Sequence, residues 1–346
     1  MKRSLGVGLV AAIALIASSC GDDGESTDTD SAGATAAATT PATTPVAPTT
    51  IAPTTVAPTT IAPTTVAPTT VVPTTAVPST VPEDVPQRIV SLSPTHTEIL
   101  FAVGADDQVV AVDSLSNFPE EAADVVTDLS AFEPNVEAIA GYEPDLVIVQ
   151  SKGPIVEQLD TLGIETWIGF APATMDDVYA QIEQLGAMTG HVGDAAELVG
   201  QMETDLTALT EDLPELDRPL TYYHELDNTY FSVTSDTFIG SIYSMFGLEN
   251  IADETRDQAG GYPQLNPEFI VTANPDLIFL ADTVCCGETK ETVAARGGWK
   301  QISAVREDLV FEMNDDLASR WGPRIVDYAA QVRAAVDEAA ALEPAG

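Results

Sequence analysis

The chain is poor in positive charge. Its 346 residues carry 13 Lys and Arg against 54 Asp and Glu, a formal net charge of −41 at neutral pH. Such a surface repels phosphate backbones and anionic head groups, so nucleic acid is not an expected partner. Much of the acidity serves solubility or a saline habitat. Cysteine is also scarce. Of three, two are neighbours, Cys285 and Cys286, and neighbours cannot staple distant parts of a fold. In an exported, oxidising setting they either close a vicinal disulfide or remain two free thiols in a turn. Adjacent Cα atoms lie about 3.8 Å apart, below the usual disulfide span, so a bridge there would be strained. The three histidines, His96, His191 and His224, are scattered, which argues against a bare zinc or manganese site built from several imidazoles. GxGxxG, GxxxxGK, HExxH and GxSxG are all missing, and no nucleophile–base pair suggests itself. An enzyme stays possible, since one fold hosts many chemistries, but no motif here points to one.

Long apolar runs are missing too, with one exception. Leu5–Ala17 follows Lys2 and Arg3 and is thirteen residues long. A membrane span needs about 20 apolar residues, whereas a secretory h-region is this short. Residues 1–20 therefore read as a signal peptide. Ala17, Ser18 and Ser19 lead into Cys20, a junction that resembles the bacterial lipobox. That resemblance implies that Cys20 becomes the lipidated first residue of the mature protein, held on the outer face of the cell membrane by lipid alone. The alternative is ordinary cleavage beside a chance cysteine.

Residues 21–85 are low complexity. An acidic start gives way to Thr, Pro and Ala with a five-residue repeat, IAPTTVAPTTIAPTTVAPTTVVPTT. The stretch lacks the large apolar residues of a core. Its prolines favour extended polyproline II at about 3.1 Å per residue, a spacer reaching at most on the order of 200 Å, and its composition is that of O-glycosylated stalks.

The folded part begins near Pro86 and contains an internal repeat. Glu137–Gln150 (EAIAGYEPDLVIVQ) recurs as Glu268–Asp282 (EFIVTANPDLIFLAD). In both copies a Glu stands seven residues before Pro-Asp-Leu, and an apolar run follows. Pro144 and Pro275 are expected to end a short helix led by the Glu. Leu146–Val149 and Leu277–Leu280 are apolar on both faces, as parallel strands covered on two sides should be. Ahead of each copy lies a helix-like run ending in Gly104 or Gly247.

Around the first copy the chain reads strand Arg88–Ser93, helix Thr97–Val103, strand Gln108–Val112, strand Leu146–Gln150, helix Ile155–Leu162, strand Ile164–Ile168 and helix Met175–Met188. This alternation predicts a parallel sheet with helices on both faces. Asp194–Leu213 then reads as one long helix of about 30 Å, ended by Pro214. A second α/β lobe follows, with strands at Leu220–Leu226 and Leu309–Glu312 and helices near Glu291–Ala295 and Pro323–Ala341. The expected fold class is α/β: two Rossmann-like lobes with parallel sheets, joined by one long rigid helix, with a ligand cleft between them. The expected boundaries are about 86–192 for the N-lobe, 193–214 for the linking helix and 215–346 for the C-lobe.

These residues resemble the helix-linked (class III) substrate-binding proteins of bacterial ABC importers, which carry iron–siderophore complexes, haem and cobalamin. The resemblance covers about residues 86–340. It rests on RIVSLSPTHTEILFAVGADDQVVAV, on SNFP at Ser116–Pro119, on the two Glu-to-PDL units and on SRWGPRIVD at Ser319–Asp327. It implies a monomer that binds a metal chelate, needs no cofactor, and delivers its ligand to a permease and its ATPase. It also implies that Glu137 and Glu268 dock on permease arginines, although an acid in the first turn of a helix also suits the macrodipole. In the cobalamin binder of this class, aromatics from both lobes pack against the corrin ring. By that likeness Phe118 and Phe132 of the N-lobe, with Tyr230, Phe231 and Tyr262 of the C-lobe, are candidate ligand contacts. Arg320 matches an arginine at the cleft. An aromatic is missing after Gln150, where Ser151 and Lys152 stand. His96 or His224 could reach a chelated metal or serve only as a polar residue of the fold, and the Cys285–Cys286 loop is expected to face the cleft. A lipid-anchored sensor or surface adhesion module of the same fold is the competing reading.

Overall fold

In the computed structural model, residues 85–255 and 259–342 are described. The expected signal peptide with Cys20, and the Thr/Pro/Ala-rich stretch as far as residue 84, lie outside the described residues.

The N-lobe runs β1 (Ile89–Leu92), α1 (Pro94–Ala102), β2 (Val109–Val112), α2 (Val136–Ala140), β3 (Leu146–Val149), α3 (Pro154–Thr161), β4 (Glu165–Ile168) and α4 (Met175–Thr189). Its strands pair in parallel in the order β2-β1-β3-β4. Helix α5 (Val192–Thr210) leads to β5 (Thr221–Glu225), α6 (Phe238–Met245), β6 (Glu249–Asn250), α7 (Pro267–Ala273) and β7 (Leu277–Leu280). The C-lobe then continues through α8 (Lys290–Ala295), α9 (Ser303–Arg306), β8 (Val310–Glu312), α10 (Asp315–Ser319) and α11 (Ile325–Leu342). The order here is β6-β5-β7-β8, again parallel. The sequence repeat is thus a repeat of topology. Strand β1 meets β3 through Ile89 and Leu146, and β5 meets β7 through Tyr222 and Leu277. Strands β3 and β7 are buried throughout, as their two-faced apolar sequence requires.

Local chemistry sets the ends. Asn135 caps α2 by accepting from the Glu137 and Ala138 amides, and Asn266 caps α7 by accepting from the Glu268 amide. This satisfies first-turn donors that have no partner within the helix. The two prolines do not end these helices. Helix α2 stops at Gly141, and α7 at Asn274 in a left-handed conformation with φ 51°, so Pro144 and Pro275 lie in the turns beyond. Helix α5 stops at Thr210, three residues short of the expected end. Its last carbonyls are taken from across the molecule: Arg333 of α11 donates to the oxygens of Leu209 (2.7 Å), Glu211 (2.9 Å) and Asp212 (3.1 Å). Strand β6 and helices α9 and α10 were not anticipated, being too short to show a period.

One apolar core runs from Ile89, Ile99 and Leu146 through Ala195, Val199, Met202 and Leu206 of α5 into Tyr222, Ile278 and Tyr328. A smaller core covers the other face of the N-lobe sheet. Because α5 is packed into the larger core from both lobes, hinging would expose apolar surface, which resists opening.

Candidate ligand cleft

In parallel sheets with crossover helices, ligands lie beyond the carboxyl ends of the strands. A cavity of about 410 Å³ opens there in the N-lobe, between Leu92 of β1, Val149 of β3 and the loop carrying Phe132. A recess of about 240 Å³ shares Ala131, Phe132 and Gln150 with it, and crosses to Asp316, Ser319 and Arg320 of the C-lobe. A third hollow, about 80 Å³, sets Ala171 and Pro172 against Phe238, Tyr262 and Trp321. The cleft is therefore a band of shallow spaces along the lobe junction. Its lips carry apolar surface in water: Phe132 is 82% exposed, Phe170 57% and Tyr262 42%.

A buried ion network ties the lobes beside this band. Glu98 of α1 receives Arg320 Nη1 at 2.8 Å and both Nε and Nη2 of Arg324, at 2.9 and 2.5 Å. Arg320 also donates to Asn117 Oδ1 (2.8 Å), the Leu115 carbonyl (3.0 Å) and Asp316 (2.6 Å). Asn117 in turn donates to Asp316 at 2.8 Å. Arginine suits this post because its fork satisfies several planar acceptors at once.

The candidate residues separate on this framework. Phe132 and Arg320 line one recess, and Arg320 and Tyr262 line another. Arg320, however, is buried and its guanidinium is taken up by Glu98, Asp316, Asn117 and Leu115, so it joins the lobes before it meets any ligand. Phe118 stands at the junction beneath Arg324, whose guanidinium carbon lies 3.9 Å from the ring centre. Phe231 is at the margin of exposure, bridged to Gln264 near Tyr262. Tyr230 does not share these spaces. Its ring packs on Trp299 and under Arg296, and it lines a separate groove of about 530 Å³ with Glu268. Phe170, just past β4, had no counterpart in the sequence reading. The signal was present: an aromatic two residues beyond a strand ending at Ile168.

His96 is not at the cleft surface. It is wholly buried, its Nδ1 lies 2.5 Å from the Ser93 hydroxyl and its Nε2 2.9 Å from Gln181 Oε1. The amide oxygen at Nε2 assigns the proton there, leaving Nδ1 to accept from Ser93. Gln181 Oε1 also accepts from Trp321 Nε1 at 3.2 Å, so the histidine belongs to a second inter-lobe tie. Burial lowers its pKa to about 4 against the raising effect of Gln181. His224 is likewise buried, 2.7 Å from the Tyr243 hydroxyl, and desolvation lowers it to about 3. The Cys285–Cys286 pair is not a disulfide in this structure; both thiols are free and exposed.

Glu137 and Glu268 occupy matching places. Each is exposed in the first turn of an Asn-capped helix that runs back along its sheet, so each stands at the carboxyl edge. A different acid group lies buried beneath the C-lobe rim. Glu225 holds Arg296 in a two-point pair at 2.6 and 2.5 Å, and Glu288 takes the same arginine at 2.9 Å. Asp282 is buried beside them with neither carboxylate oxygen hydrogen-bonded. Desolvation, with the charges of Glu225 and Glu288, pushes its pKa up to about 8.

A family model described as periplasmic binding protein matches residues 89–317. An uncharacterized ABC transporter substrate-binding lipoprotein of Bacillus subtilis is 31% identical over 254 residues, covering 70% of this chain and 77% of its own. A cobalamin-binding protein of Halobacterium salinarum is 28% identical over 256 residues, with 71% and 68% covered. Among solved structures, the periplasmic vitamin B12 binding protein of Vibrio cholerae superposes with a TM-score of 0.60 at 26% identity, covering 74% of this chain and 98% of that one. The family match spans both sheets and the helix between them, and the chain belongs to the periplasmic binding protein family, whose members include the substrate-binding proteins of ABC transporters.

Proposed function

We propose that this protein captures a corrinoid-type metal chelate outside the membrane, tethered through Cys20, and presents it to an ABC permease. It carries out no reaction. The observation that supports this best is the aromatic edging of the cleft. Phe132 and Phe170 on one lobe and Tyr262 on the other expose flat apolar area that stacks on a broad, flat ligand. The cavities are too open and too shallow to grip a bare ion, and among the described residues no cluster of His, Cys, Asp or Glu could hold a metal directly. Strong net acidity disfavours multiply anionic chelates, and Arg320, the basic residue of the recess, is already neutralised by Glu98 and Asp316.

Presentation would use Glu137 and Glu268. Two exposed acids, one per lobe and each in the first turn of an Asn-capped helix, can orient the protein on a pair of basic side chains of the permease. Fluorescence titration of the full chain against cobalamin, haem and ferric hydroxamates tests the ligand, with Trp167 and Trp321 at the junction as reporters. Saturation by the corrinoid is expected. Saturation by a hydroxamate alone overturns the corrinoid assignment, and silence across the panel overturns the chelate reading. Reversing both Glu137 and Glu268 to Lys should abolish uptake while binding persists; unchanged uptake refutes the docking role.

A further inference from the structure

The cavity of about 410 Å³ in the N-lobe has a lining that the stacking of a flat ring does not use. Its floor is apolar: Leu92, Val149 and Ile155 are all buried. Ala131, Phe132 and Gln150 form the side it shares with the inter-lobe recess. Ser151, just before α3, and Gln158, within α3, line the cavity and not the recess. The recess therefore opens into the cavity at Phe132, and this hydroxyl and this amide lie beyond the opening. Among the described residues, the side chains of Gln150, Ser151 and Gln158 have no hydrogen-bond partner, and each can both donate and accept.

No charged side chain lines this cavity. Glu133, Lys152 and Glu157 flank lining residues in the chain, and all three are exposed. Nor does the start of α3 make an anion site. Pro154 has no N–H to offer, the Val156 amide is taken by the Gly153 carbonyl at 3.1 Å, and Glu157 in the first turn offsets the positive end of the helix. A carboxylate entering here would meet no cation among the lining residues and would keep much of its desolvation cost. An uncharged amide meets groups of its own kind, since a glutamine accepts from its N–H and donates to its C=O. At about 410 Å³ the cavity is at the lower end of the range for small-molecule sites. It therefore takes an appendage of a macrocycle and leaves the ring outside, against Phe132.

Building on the corrinoid-carrier reading, we propose that this cavity is a subsite for one uncharged arm of the carried macrocycle, a short hydrocarbon stem ending in a carboxamide. The arm enters beside Phe132 while the ring stacks on that side chain's exposed face. Its stem crosses Leu92, Val149 and Ile155, and its terminal amide hydrogen-bonds with Ser151 and Gln158. The consequence is selectivity at the edge of the ligand. Of macrocycles of similar breadth, those with carboxamide arms are retained over those with carboxylate arms. The arm also fixes which edge of the ring faces the N-lobe.

The test uses the full chain at high salt, which screens the general repulsion of anions. The probes are cyanocobalamin and its monocarboxylic acids, in each of which a different peripheral carboxamide has become a carboxylate. Tryptophan fluorescence reports binding. One isomer should bind wild type about tenfold or more weakly than cyanocobalamin, the cost of an amide hydrogen bond left unmade at an uncharged site. The other isomers should bind like cyanocobalamin. Gln158→Lys, a change that keeps helix propensity, should narrow the gap for that isomer by pairing with its carboxylate. Ser151→Phe fills the cavity from an exposed position; it should weaken cyanocobalamin by a similar factor with an unchanged Tm. Isomers that all bind wild type alike, a gap that Gln158→Lys leaves as it was, or full cyanocobalamin affinity in Ser151→Phe overturns the subsite and leaves the carrier reading standing. No occupancy by cyanocobalamin overturns both the subsite and the corrinoid assignment.

Discussion

Replacing Glu98 with Gln should loosen the joint between the lobes. Glu98 is 2% exposed and faces Arg320 at 8% and Arg324 at 18%, so all three charges are largely removed from water. Deleting one partner of a buried pair costs about 3–5 kcal/mol, because the remaining charge keeps its desolvation penalty. Here the remaining cations retain some support. Arg320 keeps Asp316, Asn117 and the Leu115 carbonyl, and Arg324 keeps the Phe118 ring. The loss should therefore fall at the lower end, about 3 kcal/mol. For a domain of this size that is about 6–12 °C in Tm. Thermal unfolding followed by circular dichroism reads it directly. A double-mutant cycle with Arg320→Met should give a coupling of at least about 1 kcal/mol, since the two side chains share one network. The ligand titration should show weaker binding, because both walls of the recess are placed by these bonds. A Tm loss under about 3 °C, or simple additivity in the cycle, would refute the view that this network holds the lobes.

Other outcomes follow from the same geometry. Asp282 holds a proton in the folded state up to about pH 8, whereas the unfolded chain loses it near about pH 4; the folded state binds more protons between these values, so stability falls as pH rises through that window. Asp282→Asn should flatten that part of the pH dependence of the denaturation midpoint, and an unaltered slope would exclude Asp282 as its source. Gly169→Ala places a Cβ 2.1 Å from His96 Nε2 and 2.6 Å from Trp167; overpacking should cost about 1–3 kcal/mol in denaturant unfolding, and an unchanged midpoint would mean that the histidine tie can move. Phe132→Ala should leave stability within about 0.5 kcal/mol, because the ring is in water, yet weaken ligand binding by more than about 1 kcal/mol if it is an anchor. Equal affinity would remove Phe132 from the site.

The two lobes could be read from the chain because their signals are local. A four-residue apolar run such as Leu146–Val149 can be buried on both faces only within a covered sheet. A Glu seven residues before Pro-Asp-Leu, found twice, marks equivalent elements wherever they lie in space. Pattern alone misjudged elements whose ends depend on distant partners: α5 stops where Arg333 of α11 collects its carbonyls. Helix α10, five residues long, is too short to show a helical period in the sequence, although its residues Asp316 and Ser319 line the C-lobe side of the recess.

Among candidate contacts the division is similar. Phe132 and Tyr262 could be placed on cleft-side loops from the order of strands and helices. The sequence could not distinguish them from His96 or Tyr230, because all four occupy comparable loop or first-turn positions. Whether a side chain faces water or the interior depends on what the rest of the fold brings against it. Gln181 and Trp321 close over His96, and Trp299 and Arg296 receive Tyr230. Arg320 illustrates the limit most clearly: its type and motif identified it, but its bond to Glu98 joins residues 222 positions apart. Periodicity, prolines and capping residues act over a few residues and by themselves determined the strands, helices and repeat. Burial and ion pairing act between segments far apart in the chain, and only the tertiary structure decided which polar residues bind the lobes together and which aromatics remain free to meet a ligand.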